Sequence, residues 1–203
     1  MDENNVKISC AKELSPNTLK GVGLVGSFGP LPLTMGSRMK YSLKGWVSRK
    51  VYEKTVVPAV EDPDPTVFQK QTMEGITARS ETDKALFENV EFRDFLVDQE
   101  RECLRQGSQG VTDELRIAVK DWGFDLQSIS LEKIRLWCGT EEVEAPIDMS
   151  RNIEMQISQA KLVEFQGDTH YSTLATRGEQ ILRELLFDDE KSYGQLLPKD
   201  AYN

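Results

Sequence analysis

The hydrophobic pattern along the chain changes period twice. Residues 19–25, LKGVGLV, form a nearly unbroken run of apolar residues and glycine, as in a strand buried on both faces of a parallel sheet. Two later short apolar runs, at 134–138 and 162–165, have the same character. Three parallel strands are therefore predicted, near 19–26, 133–138 and 161–166.

Between the first and second strands the spacing is helical. Met39, Leu43, Trp46, Val47 and Val51 fall on one stripe over 37–52, and EDPDP at 61–65 breaks it ahead of a helix over 66–78. Phe92, Phe95, Leu96 and Cys103 stripe a helix that ends near Gly107, and Val111, Leu115, Val119 and Trp122 stripe the next. Such stripes select for core packing first, and some of these side chains would line a pocket only if the insertion covers one. A short helix with Val6, Cys10 and Leu14 on one side is expected over 5–14, stopped by Ser15-Pro16-Asn17.

After the second strand, Pro146 is expected at the first position of a helix with Ile147, Ile153 and Ile157 toward the core. After the third, Ser172 or Thr173 is expected to cap a helix with Leu174, Ile181, Leu182, Leu185 and Leu186 as a buried stripe. Residues 188–203 lose the pattern and read as a loose tail. The fold class is α/β, with a short parallel sheet and a large helical insertion. Residues 1–36 and 126–187 make the core and 37–125 the insertion.

Composition narrows the partners. A chain of 203 residues can bury a sizeable core without disulfide staples. Its net charge of −9 argues against a nucleic-acid groove or an anionic membrane surface as partner. Cys10, Cys103 and Cys138 lie far apart with no Cys-x-x-Cys pair, which fits reduced core thiols in a reducing compartment better than bridges or a metal site. No apolar run approaches the ~18 to 20 residues of a membrane helix, and the start, MDENNVK, is acidic and polar where a signal peptide is basic and then apolar. A cytoplasmic protein is expected.

Gly21, Gly23 and Gly26 spell the dinucleotide fingerprint G-x-G-x-x-G, but in the wrong setting. These glycines lie within the strand, GPLPL follows in place of a helix N-terminus, and residues 40–48 supply no acid for a ribose. No cofactor and no metal are expected.

Candidate chemistry gathers where the second and third strands end. The loop after the second strand carries Glu141, Glu142 and Glu144; the loop after the third carries His170, the sole histidine. Parallel strands joined by a helix present both loops at one edge of the sheet, where α/β enzymes place their sites. A solvated acidic loop and a lone surface histidine are the plain alternative.

Several segments carry a family resemblance. CAKELSPNTLKGVGLVGSFGP resembles a segment of α/β hydrolases, "ACA…P…LKGVGLVSG", that follows the helix leaving the nucleophile elbow. QGSQGVTDELRIAVKDWGFDL resembles the lid exit "GPxGVxxDLxLxxxxWGF" of one branch of them. The acid and histidine loops resemble the C-terminal end of the same family. The resemblance implies that Glu142 is the catalytic acid, with Glu141 and Asp148 as fallbacks, that His170 is the catalytic histidine, and that 37–125 is a lid.

It also implies a nucleophile upstream of the acid, and the candidates in this chain fit badly. Ser27 has Val25 where G-x-S-x-G wants glycine, Ser172 is better used as a helix cap, and Cys138 sits on a buried strand with nothing to lower its pKa. The resemblance spans nearly all of this chain but only the C-terminal two-thirds of a family member. It places the elbow and the oxyanion hole at or before Met1. The expectation is a full-length form that hydrolyses a small-molecule ester, amide or related bond. The chain as given is expected to be a truncated product of it, inactive and self-associating through the sheet edge exposed at 19–26. The alternative is a non-catalytic binding or interaction protein built on the same remnant.

Overall fold

In the computed structural model, residues 18–29, 46–110 and 122–187 are described, together with Leu14, Leu43 and Asp113. The expected helix over 5–14, apart from Leu14, falls outside them. So do Met39, the stripe at Val111, Leu115 and Val119, and the tail.

Strands β1 (Val22–Val25), β2 (Ile134–Gly139) and β3 (Ala160–Phe165) form one parallel sheet in the order β1-β2-β3. Val22 pairs in register with Ile134 and Ile134 with Ala160, so the core-facing rows line up across the sheet. β1 is shorter than its apolar run. Its pairing opens with the Val22 N–H on the Lys133 carbonyl and closes with the Gly26 N–H on the Trp137 carbonyl, where Gly26 turns the backbone to φ +51°. No strand occurs between β1 and β2 among the described residues.

The segment between them is helical. A π-helical turn (Tyr52–Val56) runs into α1 (Val57–Glu61). Then follow α2 (Pro65–Ile76), α3 (Glu81–Glu88) and α4 (Val90–Leu104). The caps explain the boundaries: Asp64, Ser80 and Asn89 each accept a backbone N–H of the first turn, and Pro65 sits just after its cap. Ala59, Phe68, Val97 and Leu104 form a small cluster of their own under these helices. A 3₁₀ turn (Leu126–Ser128) leads into β2, and Trp122 and Phe124 pack on the sheet's core.

Helix α5 (Ile147–Gln156) covers one face of the sheet, where Ile153 and Ile157 meet Val22, Leu24, Ile134 and Leu136. Helix α6 (His170–Leu186) covers the other, where Ile181 meets Trp137 and Phe165. Trp137 is fully buried and its indole N–H donates to Glu184 of α6 at 2.6 Å. No helix among the described residues is long and apolar enough to cross a membrane.

Several expected details differ. The cap of α6 is Thr169, while Ser172 completes a capping box as its third residue and Thr173 bonds the Thr169 carbonyl from the next turn. His170 is thus the first residue of the helix. Pro146 is the N-cap residue just before α5, outside the helix. Of the expected apolar stripe on α6 only Ile181 is buried and Leu185 half-buried; Leu174, Leu182 and Leu186 are exposed, the last two at 59% and 68%. Neighbouring residues on a helix point about 100° apart, so Leu182 and Leu186 lie round the helix from the arc that meets the sheet. On α4 the buried pair is Val97 and Leu104, seven apart, and Phe95 is 64% exposed with Cys103 also outside. Trp46, Val47 and Val51 are helical but exposed.

Leu136 is fully buried at the centre of the sheet. Leu136→Ala should lower unfolding stability by about 2 to 5 kcal/mol, measured by urea denaturation with an unchanged m-value.

Candidate active site

At the C-terminal edge of the sheet the two loops are joined along their backbones. Thr140 N–H donates to the Phe165 carbonyl and Glu141 N–H to the Asp168 carbonyl, both at 3.0 Å, and Gly167 N–H donates to the Thr140 hydroxyl at 2.9 Å. Gly139 makes this approach possible, since a Cβ there would run into the Asp168 backbone. Gly167, at φ +77°, reverses the chain toward Thr169.

Glu142 is 6% exposed and its carboxylate is held at both ends. Oε1 accepts the backbone N–H of Glu144 at 2.8 Å and of Ala145 at 3.1 Å, and Oε2 lies 2.7 Å from His170 Nδ1. A neutral ring in this position donates Nδ1–H to the carboxylate and keeps its lone pair on Nε2. Burial works against an imidazolium here. The hydrogen bond and charge of Glu142, helped by Glu144 and opposed by Arg79, outweigh it and raise the His170 pKa above its ordinary 6.5. Burial would likewise push Glu142 up, but the His170 contact and the two backbone N–H groups hold it below its ordinary 4.5.

Gly26 completes this arrangement. A Cβ on it would sit 2.9 Å from Glu142 Oε2 and 3.2 Å from His170 Nδ1. The end of β1 thus packs against the pair, and only glycine leaves the room.

The remaining candidates lie elsewhere or are otherwise engaged. Glu141 is exposed and Asp148 pairs with Arg151 at 3.2 Å. Ser27 is buried beyond the end of β1, and Ser172 belongs to the capping box. Cys138 is fully buried, and desolvation pushes its thiol up to about 11, where it stays protonated. Glu142, Glu144 and His170 bring ligand-type atoms within 4.8 Å of one another, but their contacts make a hydrogen-bonded network, with Glu144 in an ion pair to Arg79.

Two residues of the helical segment reach this site, and no sequence spacing announces them. Asp83 of α3 is buried and accepts the Thr169 hydroxyl, 86 positions away. Arg79, between α2 and α3, pairs with Glu144, lies 3.7 Å from Asp83 and stands 4.6 Å from the centre of the Tyr171 ring. The helices and this edge of the sheet border an open cavity of about 590 Å³, whose lining includes Phe68, Ile76, Leu104, Arg79, His170 and Tyr171. The His170 side chain is 32% exposed toward its surroundings.

No protein-family model matches the chain, and no curated protein matches its sequence. Solved structures do match. One is a carboxylesterase study of the thaumarchaeon Nitrososphaera gargenis, at a TM-score of 0.58 and 16% identity over 89% of this chain and 60% of that one. A bromoperoxidase from Bacillus anthracis gives 0.57 and 15% identity over 90% and 63%. A hydrolase from Pseudomonas aeruginosa PA01 gives 0.55 and 15% identity over 91% and 61%. The fold is that of the α/β hydrolases. The chain spans about three-fifths of the length of these neighbours. At such identities the likeness speaks for the α/β-hydrolase fold alone.

Both shifts stabilise the folded state. The Glu142 contribution is present above pH 4.5 and is lost as pH falls through its lowered value, whereas the His170 contribution is present below 6.5 and is lost as pH rises through its raised value. The melting-temperature difference between the wild type and Glu142→Gln should therefore be greatest between those two values. His170, as the sole histidine, gives one ring signal in NMR. It should titrate above 6.5 in the wild type and below 6.5 in Glu142→Gln, where burial is no longer opposed by that carboxylate.

Proposed function

We propose that this chain carries the acid and the base of an α/β-hydrolase active site, Glu142 and His170, and that its full-length form hydrolyses a small-molecule ester, amide or related bond. The 2.7 Å contact between them, on the wall of a cavity of about 590 Å³, carries this reading. Glu142 would hold the ring and stabilise the imidazolium, while Nε2 takes the proton of the attacking group and later returns it to the leaving group. In the same reading, residues 1–36 and 126–187 are core and 37–125 is a lid that keeps water from the reacting bond. The compartment would be the reducing cytoplasm, in keeping with the free thiols of Cys103 and Cys138.

The nucleophile is the missing part. Ser27 lacks the G-x-S-x-G setting, Ser172 is held in the capping box and Cys138 is buried with its thiol pushed up, so in this proposal the elbow and the oxyanion donors belong to a segment ahead of residue 1. β1 has one partner strand, β2, among the described residues. Its other edge, with only Lys20 as a nearby charge, would pair with that segment or with another copy of the chain.

The recombinant 203-residue chain should therefore show no p-nitrophenyl acetate turnover above a His170→Ala control, and size-exclusion chromatography should show it oligomeric. Extended by an upstream coding segment with a strand and G-x-S-x-G, it should gain turnover that Glu142→Gln lowers by about 10³ to 10⁴-fold. A monomer of 203 residues with His170-dependent turnover would overturn the proposal. An extended form that stays inactive would favour a binding protein.

A further inference from the structure

The cavity beside His170 has a size and a charge that can be read together. At about 590 Å³ it falls within the size range of small-molecule sites, about 300 to 1,000 Å³. Its walls are mostly apolar: Val56, Phe68, Ile76, Leu96, Leu104 and Leu174. Besides His170, the charged residues on it among the described residues are Arg79, Glu100 and Glu144. Arg79 is already engaged by Glu144, by Asp83 and by the face of Tyr171.

Glu100 is different. Its Oε2 accepts the Thr72 hydroxyl at 3.5 Å, and the Tyr171 hydroxyl also contributes a hydrogen bond. Among the described residues no ion pair to it occurs. A half-buried carboxylate held by hydroxyls alone is poorly compensated for the water it has lost. Burial pushes its pKa up, with Thr72, Arg79 and Tyr171 pulling the other way. With Arg79 offset by Glu144 and the His170 ring neutral, the described lining carries one net negative charge, on Glu100, and Glu142 adds another beneath His170. A carboxylate entering it would meet the like charge of Glu100, with Arg79 already engaged, whereas an ammonium would find Glu100 a partner.

We propose that this cavity takes a molecule with an apolar alkyl or aryl body and one protonated amine, the amine against Glu100 and the body against Val56, Phe68, Ile76 and Leu104, and that it rejects carboxylates. As a statement about substrate, an amine-bearing ester or amide, it rests on the hydrolase reading. As a statement about binding it needs no turnover.

The probe is the ring signal of His170 in the 203-residue chain labelled with [¹³C-ε1]histidine. The chain is titrated with hexylamine, hexan-1-ol and hexanoate at about pH 7.5, where the amine is protonated and the acid ionised. Hexylamine should shift the signal saturably with a Kd at least about tenfold below that of hexan-1-ol, as one charge-assisted contact allows. Hexanoate should give no saturable shift over the same range. Glu100→Gln, which keeps the shape, should bring hexylamine to the level of hexan-1-ol. Binding of hexanoate as tight as hexylamine, an amine advantage that survives Glu100→Gln, or no saturable shift with any of the three would each overturn the proposal. Amine selectivity in a protein whose extended form hydrolyses nothing would sink the hydrolase reading and leave this one standing; unselective binding beside a working esterase would do the reverse.

Discussion

The edge of the sheet is arranged around one buried carboxylate. Removing Glu142 from water is costly for an ionised group, and three donors offset the cost: two backbone N–H groups of its own loop and the Nδ1–H of His170. Because both oxygens are bonded, the carboxylate is fixed in orientation, and the imidazole is fixed by it. Gly26, Gly139 and Gly167 serve the same end. One gives the pair room, one lets the loops touch, and one turns the histidine loop back onto its helix.

The helical segment is tied to this edge by charge as well as by packing. Asp83 fastens α3 to the cap of α6, and Arg79 spans Glu144 and the Tyr171 ring. His170, first residue of α6, sits between these contacts. A shift of α2 and α3 would move Arg79 and Asp83, so the wall of the cavity and the surroundings of His170 depend on the same helices.

The same geometry separates fold from chemistry. Three parallel strands with a helix on each face place a loop carboxylate and a loop imidazole together, as α/β-hydrolase architecture does. That the pair works on a bond is a further step, which depends on a nucleophile and oxyanion donors. Among the described residues β1 pairs with β2 alone, and Leu182 and Leu186 of α6 are exposed.

The sequence by itself determined three parallel strands and the meeting of the acidic loop with the histidine loop; the choice of Glu142 within that loop came from the family resemblance. Short β-rich apolar runs joined by helical stretches leave few topologies, and loops that leave parallel strands on the same side must meet. Local chemistry also showed in the breaks at EDPDP and Gly107. What sequence spacing could not decide was which side of an over-wide apolar stripe would be covered. That depends on the neighbour, so Leu182, Leu186 and Phe95 lie outside while Ile181 and Val97 lie inside. Nor could it find the cap at Thr169, since Thr169, Ser172 and Thr173 are all capping types and the backbone's turn after Gly167 chooses among them. Gly26 read as part of a false fingerprint until the fold set it against the acid. Arg79 and Asp83 belong to the site only because tertiary structure carries α3 across more than eighty residues of chain to Thr169, and contacts at that separation leave no periodicity to read.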